Sequence, residues 1–164
     1  MRIRRTSQGL TVIAIAGTHV VVLGLDPSDE KLKKCPDFAT QREDLTEGER
    51  CWMSGMKTFE ATDPLLGPGG QVSSHEHPFQ TFQWADYTAK PEHDYTYTVI
   101  SLYGTAKNLK DGDAVSVKVT TESECGKKHS VFLNRGAVAT QECARRFQNI
   151  PPDKLNGDAQ NAAY

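Results

Sequence analysis

The sequence has no uninterrupted hydrophobic run of membrane length, no basic block longer than Arg4-Arg5 or Lys127-Lys128, and no closely spaced pair of cysteines. Each absence removes a class of function. The longest apolar stretch, Leu10 to Leu25, is broken by Thr11, Thr18 and His19; it is too short and too interrupted to span a bilayer, so no direct membrane insertion is expected. With 19 Lys and Arg against 21 Asp and Glu and a net charge of −2, the chain has no long-range field to attract nucleic acid or an anionic membrane. The four cysteines, Cys35, Cys51, Cys125 and Cys143, are too scattered for a Cys-x-x-Cys site.

The N-terminal Met1-Arg-Ile-Arg-Arg followed by that apolar run imitates a secretory signal. No small-x-small cleavage site follows it, however, and the β-branched Val12, Ile13, Ile15, Val20, Val21 and Val22 suit strands. A cytoplasmic location is therefore expected, with four free thiols, a Cys35–Cys51 bridge being the alternative.

What is present is short β patterns first and one helix last. At 164 residues, 37% hydrophobic and 24% charged, the chain suits one soluble domain, or a domain with a fragment of a second. Leu10 to Ala16 and Val20 to Leu25 read as strands joined by Ala16-Gly17-Thr18-His19, with Asp26-Pro27-Ser28-Asp29 turning the chain out of the second. Lys31 to Lys34 reads as a solvated charged stretch. Phe38 to Arg42 and Arg50 to Ser54 read as strands across the turn Thr46 to Glu49. The segment "FEATDPLLGPGGQVSSHEH", Phe59 to His77, is rich in proline and glycine and predicts a long surface loop. Phe79 to Trp84 alternates as a strand, and "AVSVKVTTE" places Val115, Val117 and Val119 on one buried face. After Gly126, "HSVFLN" predicts a strand and "GAVATQECARRFQN" a helix stopped by Pro151-Pro152.

Between them lies "PEHDYTYTVISLYGT", Pro91 to Thr105, where Tyr95, Tyr97, Val99, Ser101 and Tyr103 alternate with Thr96, Thr98, Ile100 and Leu102. "AKPEHDYTYTVISLYGT" resembles the E–F turn and F strand of a fibronectin type III domain, with Tyr95 at the position whose hydroxyl ties down the corner. A tyrosine there buries its ring between the sheets and satisfies a loop carbonyl. The fold class expected is mainly β: a fibronectin type III-like antiparallel β-sandwich over residues 10–122, then a linker, strand and helix over 123–164.

A wider resemblance covers roughly residues 10 to 150. "DFATQREDLTEGERCWMSGMKTF", "HPFQTFQWADYTAKPEHDYTYTVISLYGT" and "HSVFLNRGAVATQECARRF", in that order, resemble the N-terminal region of bacterial phospholipase D-like proteins, where a fibronectin-like sandwich precedes the catalytic region. The resemblance implies an accessory domain whose partner is the C-terminal phospholipase D-like catalytic domain of its parent. Phospholipase D-type chemistry needs a histidine nucleophile followed two residues on by a phosphate-holding lysine, in the pattern H-x-K-x4-D. At that offset from the five histidines stand Val21, His77, Phe79, Tyr95 and Val131, so none has the lysine. The chain thus reads as a truncated, non-catalytic N-terminal fragment with no cofactor.

The rival reading is an independent metal-dependent enzyme or metal-binding module using His75 and His77. Two imidazoles two apart on an extended segment can share an ion, with Glu76, Cys51 or Cys125 as a further ligand, but no Cys-x-x-Cys or His-Glu-x-x-His accompanies them. Trp84, Tyr95 and Tyr97 read as structural, and Trp52 is left open between core and a ligand platform. Cys143 reads as a helix thiol, Arg145-Arg146 as solvated charges answering the helix dipole, and Gly67 to Gly70 as flexible loop. Val131, Leu133, Val138 and Phe147 would face a sheet the chain does not supply; they are expected to dock on the sandwich or to pair with a second copy in a homodimer.

Overall fold

A computed structural model describes residues 1–33, 37–67 and 69–125. The strand and helix expected over 129 to 148, with Cys143, Arg145 and Arg146, lie outside the described residues, as do Cys35 and Lys34. Of the described residues, those up to Pro64 and from Gln71 on group as one compact unit, while those from Leu65 to Gly70 belong to a second.

The described chain is mainly antiparallel β. The strands are β1 (Arg2–Ser7), β2 (Leu10–Ala16), β3 (Val21–Pro27), β4 (Asp37–Asp44), β5 (Glu49–Trp52), β6 (Ser54–Gly55), β7 (Val72–Ser73), β8 (Gln83–Asp86), β9 (Asp94–Thr105) and β10 (Asn108–Thr120), with one short helix, α1 (Asp29–Leu32), after β3. One sheet has the order β1-β2-β3-β8, the other β10-β9-β4-β5, and β6 with β7 forms a separate ribbon. The two larger sheets pack face to face. Leu10, Val12, Ala14, Val21 and Leu23 come from the first, and Phe38, Tyr95, Tyr97, Val99, Val115, Val117 and Val119 from the second. No described helix is long and apolar enough to cross a membrane.

Strand register explains which polar residues enter this interior. Across the second sheet, Val117, Tyr97, Arg42 and Cys51 lie in one row and Val119, Tyr95, Asp44 and Glu49 in the next. Because side chains alternate faces with a period of two, residues directly paired share a face. Arg42 and Asp44 are therefore committed to the same face as the two buried tyrosines. On the other sheet, Asp86 pairs with Val21 and Trp84 with Leu23, so Asp86 also points inward.

Four expectations need correction. The first sheet begins at Arg2, since Arg2–Ser7 forms β1; an edge strand exposed on most of its residues carries no alternation to betray it. Lys31 is not solvated: it is buried on α1, and its Nζ donates to the Gln8 carbonyl (3.2 Å) and to Asp113 Oδ2 (2.8 Å). Asp113 is available because β10 bulges between Asp111 and Ala114, where Gly112 lies so close to the Tyr103 ring that an added Cβ would meet it at 2.1 Å. The Phe59–His77 segment is not all surface loop, since β7 pairs with β6 and Ser74 is fully buried, its Oγ donating to the Thr40 carbonyl at 3.2 Å. The strand expected at Phe79–Trp84 is displaced to Gln83–Asp86, and Phe79 instead bridges Phe38 of the other sheet through two backbone hydrogen bonds (2.8 and 3.1 Å).

Tyr95 ties its corner through its hydroxyl, but to a different partner from the one expected. Its ring is 1% exposed, and its hydroxyl accepts a hydrogen bond from the Lys90 backbone N–H at 2.9 Å. The corner is thus closed by an amide donor rather than by a carbonyl. Tyr95→Phe leaves that N–H without its partner and should lower stability by about 1–3 kcal/mol; urea denaturation should show an earlier midpoint with an unchanged slope.

Candidate functional site

The inward-facing polar residues meet on the side of the sandwich where β5 and β8 are the outer strands. Asp86 is fully buried, and its carboxylate accepts four hydrogen bonds. Arg42 Nη1 (2.9 Å) and the Tyr97 hydroxyl (2.8 Å) donate to Oδ2; the Thr88 amide (2.8 Å) and hydroxyl (2.7 Å) donate to Oδ1. Burial alone would raise this carboxyl, but donors from Thr88, Arg42 and Tyr97 together hold it below the ordinary carboxylate value. Burial opposes the Arg42 charge too, but the hydrogen bond to Asp86 and the attraction of the Asp86 charge, with smaller contributions from Cys51 and Tyr97, together outweigh it and hold the guanidinium above its usual value. Burial, reinforced by the Asp86 charge, pushes the Tyr97 phenol far up. The ion pair joins β4 of one sheet to β8 of the other, with the Arg42 guanidinium 5.5 Å from the centre of the Tyr95 ring.

A second cluster adjoins Tyr95. The Asp44 carboxylate, 1% exposed, accepts from His93 Nδ1 (2.8 Å) and from the amides of Thr46 (2.9 Å) and Glu47 (3.2 Å). Burial works to raise the Asp44 carboxyl, yet these donors hold it below the usual range. His93 Nε2 lies 3.9 Å from Glu47 Oε1, and Glu47 is ion-paired with Lys90. Asp44, Glu47 and His93 are the described group whose potential ligand atoms all lie within 4.8 Å of one another. Neither His75 nor His77 belongs to it.

The chain turns at the "HEH" segment, the amides of Glu76 (3.2 Å) and His77 (2.9 Å) both bonding the Ser73 carbonyl, and the two imidazoles take different partners. His75 stacks on Trp52 (centroids 4.3 Å apart, 21° between planes), and its Nε2–H donates to Asp111 Oδ1 at 2.8 Å. His77 is buried, and its Nδ1 accepts from the Phe59 amide at 3.2 Å. Trp84 stacks on Phe79 (4.0 Å, 14°) at the edge of the core, and its buried Nε1 has no hydrogen-bond partner among the described residues. Cys51 and Cys125 are free and exposed.

Outside Arg42 and Asp86 the molecule opens into a cleft of about 820 Å3 that includes Trp52, Met53, Met56, Gln83, Trp84 and Ala85. A pocket of about 370 Å3, with Lys57, Phe59, His77 and Phe79 in its wall, adjoins the cleft and shares Gly55, Met56, Thr81 and Trp84 with it. Both volumes are in the range of ligand sites. Arg42 and Asp86 escaped detection in the sequence, although one signal was there: Arg42 and Asp44 are in phase with Phe38 and Thr40, and Asp86 is in phase with Trp84.

No family model and no curated protein matches the chain. Among solved structures, it is similar to the FN5 domain of Drosophila Lar, a fibronectin type III domain, with a TM-score of 0.41 and 17% identity over 68% of this chain and 91% of that one.

Asp86→Ala should cost about 3–5 kcal/mol in denaturant unfolding, because Arg42 is left buried without its counter-charge. The pH dependence has a definite sign. Asp86 and Asp44 titrate lower in the folded chain than in the unfolded one, so their stabilisation is complete above the unfolded carboxylate value of about 4 and is lost as pH falls through the lowered values. Urea midpoints should therefore hold down to about pH 5 and fall below about pH 4, with Asp86→Asn flattening that fall.

Proposed function

We propose that this chain is a non-catalytic accessory module, a fibronectin type III-like sandwich that positions or recruits for a phospholipase D-like catalytic domain following it in a parent phosphodiesterase. The observation that carries the reading is the use to which the gathered polar groups are put. All four acceptor positions of Asp86 are filled by Arg42, Tyr97 and Thr88, and Asp44 is engaged by His93 and two amides. Such groups hold sheets and corners together; none is free to attack a phosphoester or to take a proton from water. The residues themselves agree, since no histidine carries the lysine that phosphate chemistry needs.

The metal-dependent alternative through His75 and His77 draws no support from the grouping of ligand atoms, since the described group within 4.8 Å of one another is Asp44, Glu47 and His93, and the two imidazoles take separate partners in Asp111 and the Phe59 amide. The proposal includes the C-terminal catalytic domain as partner, with a homodimer as the alternative association; Val131, Leu133, Val138 and Phe147, expected at such a contact, lie outside the described residues.

The purified chain, assayed on phosphodiester and phospholipid substrates, should give no turnover above buffer, and metal analysis should give no stoichiometric zinc or iron. Turnover that persists through repurification would overturn the reading. Stoichiometric metal lost in the His75→Ala/His77→Ala double variant would replace it with the metal-dependent one.

A further inference from the structure

The side of the sandwich that carries the cleft is also the side where both sheets end. Among the described residues, β8 pairs only with β3, and β5 only with β4. The phase of the β3–β8 ladder is fixed by the Leu25 amide donating to the Phe82 carbonyl at 2.8 Å. In an antiparallel pair, alternate residues direct both backbone groups at the neighbour. Phe82, Trp84 and Asp86 therefore face β3, and Gln83 and Ala85 turn their amides and carbonyls outward. The Gln83 carbonyl accepts from the Thr81 hydroxyl at 2.8 Å, which leaves Ala85, in the middle of the strand and in the wall of the cleft, to offer a donor and an acceptor. By the same phasing, the Met53 amide bonded to the Thr40 carbonyl (2.8 Å) leaves Arg50 and Trp52 on the outer edge of β5.

Around this edge the apolar walls are already fixed. Trp84 lies flat on Phe79 and Trp52 on His75, so neither ring needs ordering when a ligand arrives. Met56, 67% exposed, stands between cleft and pocket as an adaptable contact. The charges in the lining are one-sided. Asp86 is the acidic residue there and is paired with Arg42. Lys57, exposed in the pocket wall, makes no ion pair among the described residues.

We propose that this cleft binds an extended peptide that adds a strand to the outer edge of β8, seats one apolar side chain in the pocket beside Trp84 and Phe79, and sets a carboxylate against Lys57. Backbone pairing at Ala85 supplies the affinity, while the pocket and Lys57 select the sequence. A basic peptide is disfavoured because the lining offers it no unpaired carboxylate. The proposal rests on the accessory-module reading and names what such a module would recruit.

The test is a displayed library of random heptapeptides panned on the purified chain, followed by NMR with a synthetic peptide of the enriched sequence. The expected outcome is enrichment of alternating apolar sequences carrying Asp or Glu, with shifts concentrated at the amides of Gln83 to Tyr87 and at the indole N–H of Trp84. Lys57→Glu should weaken an acidic peptide about threefold and strengthen its lysine-substituted counterpart. Ala85→Pro, at an outward-facing edge position that tolerates proline, should weaken both by more than about tenfold. Failure to enrich any sequence, enrichment that ignores charge, shifts confined to the β1 or β10 edge, or a neutral oligosaccharide competing at the same residues would overturn it. Because the readout is binding, the two readings fail separately. Peptide binding together with turnover would sink the accessory reading and keep the cleft, while absence of both would do the reverse.

Discussion

A carboxylate without contact with solvent, Asp86, is the constraint on which the rest of this sandwich depends. Hydrophobic burial holds two sheets together but is indifferent to small slips between them. A buried charge is not indifferent, because each donor it loses leaves an uncompensated cost of desolvation. Asp86 on β8 finds Arg42 and Tyr97 on the opposite sheet and Thr88 just beyond its own strand, which sets the two sheets in one relation at that side. Arg42 in turn lies over Tyr95, Tyr95 accepts from the Lys90 amide, Lys90 pairs with Glu47, and Glu47 approaches the His93–Asp44 pair. One polar seam thus runs from the open side of the sandwich to its tyrosine corner, each member fixed by the next.

The same seam accounts for the shape of the cleft. With Arg42 and Asp86 neutralising each other at its base, the cleft presents aromatic rings and a strand edge, while Lys57 in the adjoining pocket makes no ion pair among the described residues. Polar residues that are fully occupied inside a protein make a rigid floor, and it is on such a floor that the proposed recognition surface rests.

Much of the architecture was legible because alternation of side chains is a local property. Val115, Val117 and Val119 announce a half-buried strand without reference to any other part of the chain, and "PEHDYTYTV" announces a corner. What was not legible depends on pairing across the chain. Lys31 looks solvated until the β10 bulge brings Asp113 to it, and β1 is polar because its role is to edge a sheet, which leaves no pattern to read. Asp86 sits in "ADYTAKPEHD", where turn-forming residues mask the last inward position of a strand. The two histidines of "HEH" were candidates together because spacing was all that could be seen; a turn closed on the Ser73 carbonyl sends one to Trp52 and the other to Phe59, and spacing does not reveal it.

The most direct measurement of this account is a double-mutant cycle on Arg42 and Asp86, using Arg42→Met and Asp86→Leu separately and together, with unfolding free energies taken at neutral pH. If the buried pair governs the relation between the sheets, each single variant is strongly destabilised and the double variant recovers much of the loss, giving a coupling energy of about 2 kcal/mol or more. A coupling near zero, with the two losses simply adding, would contradict it.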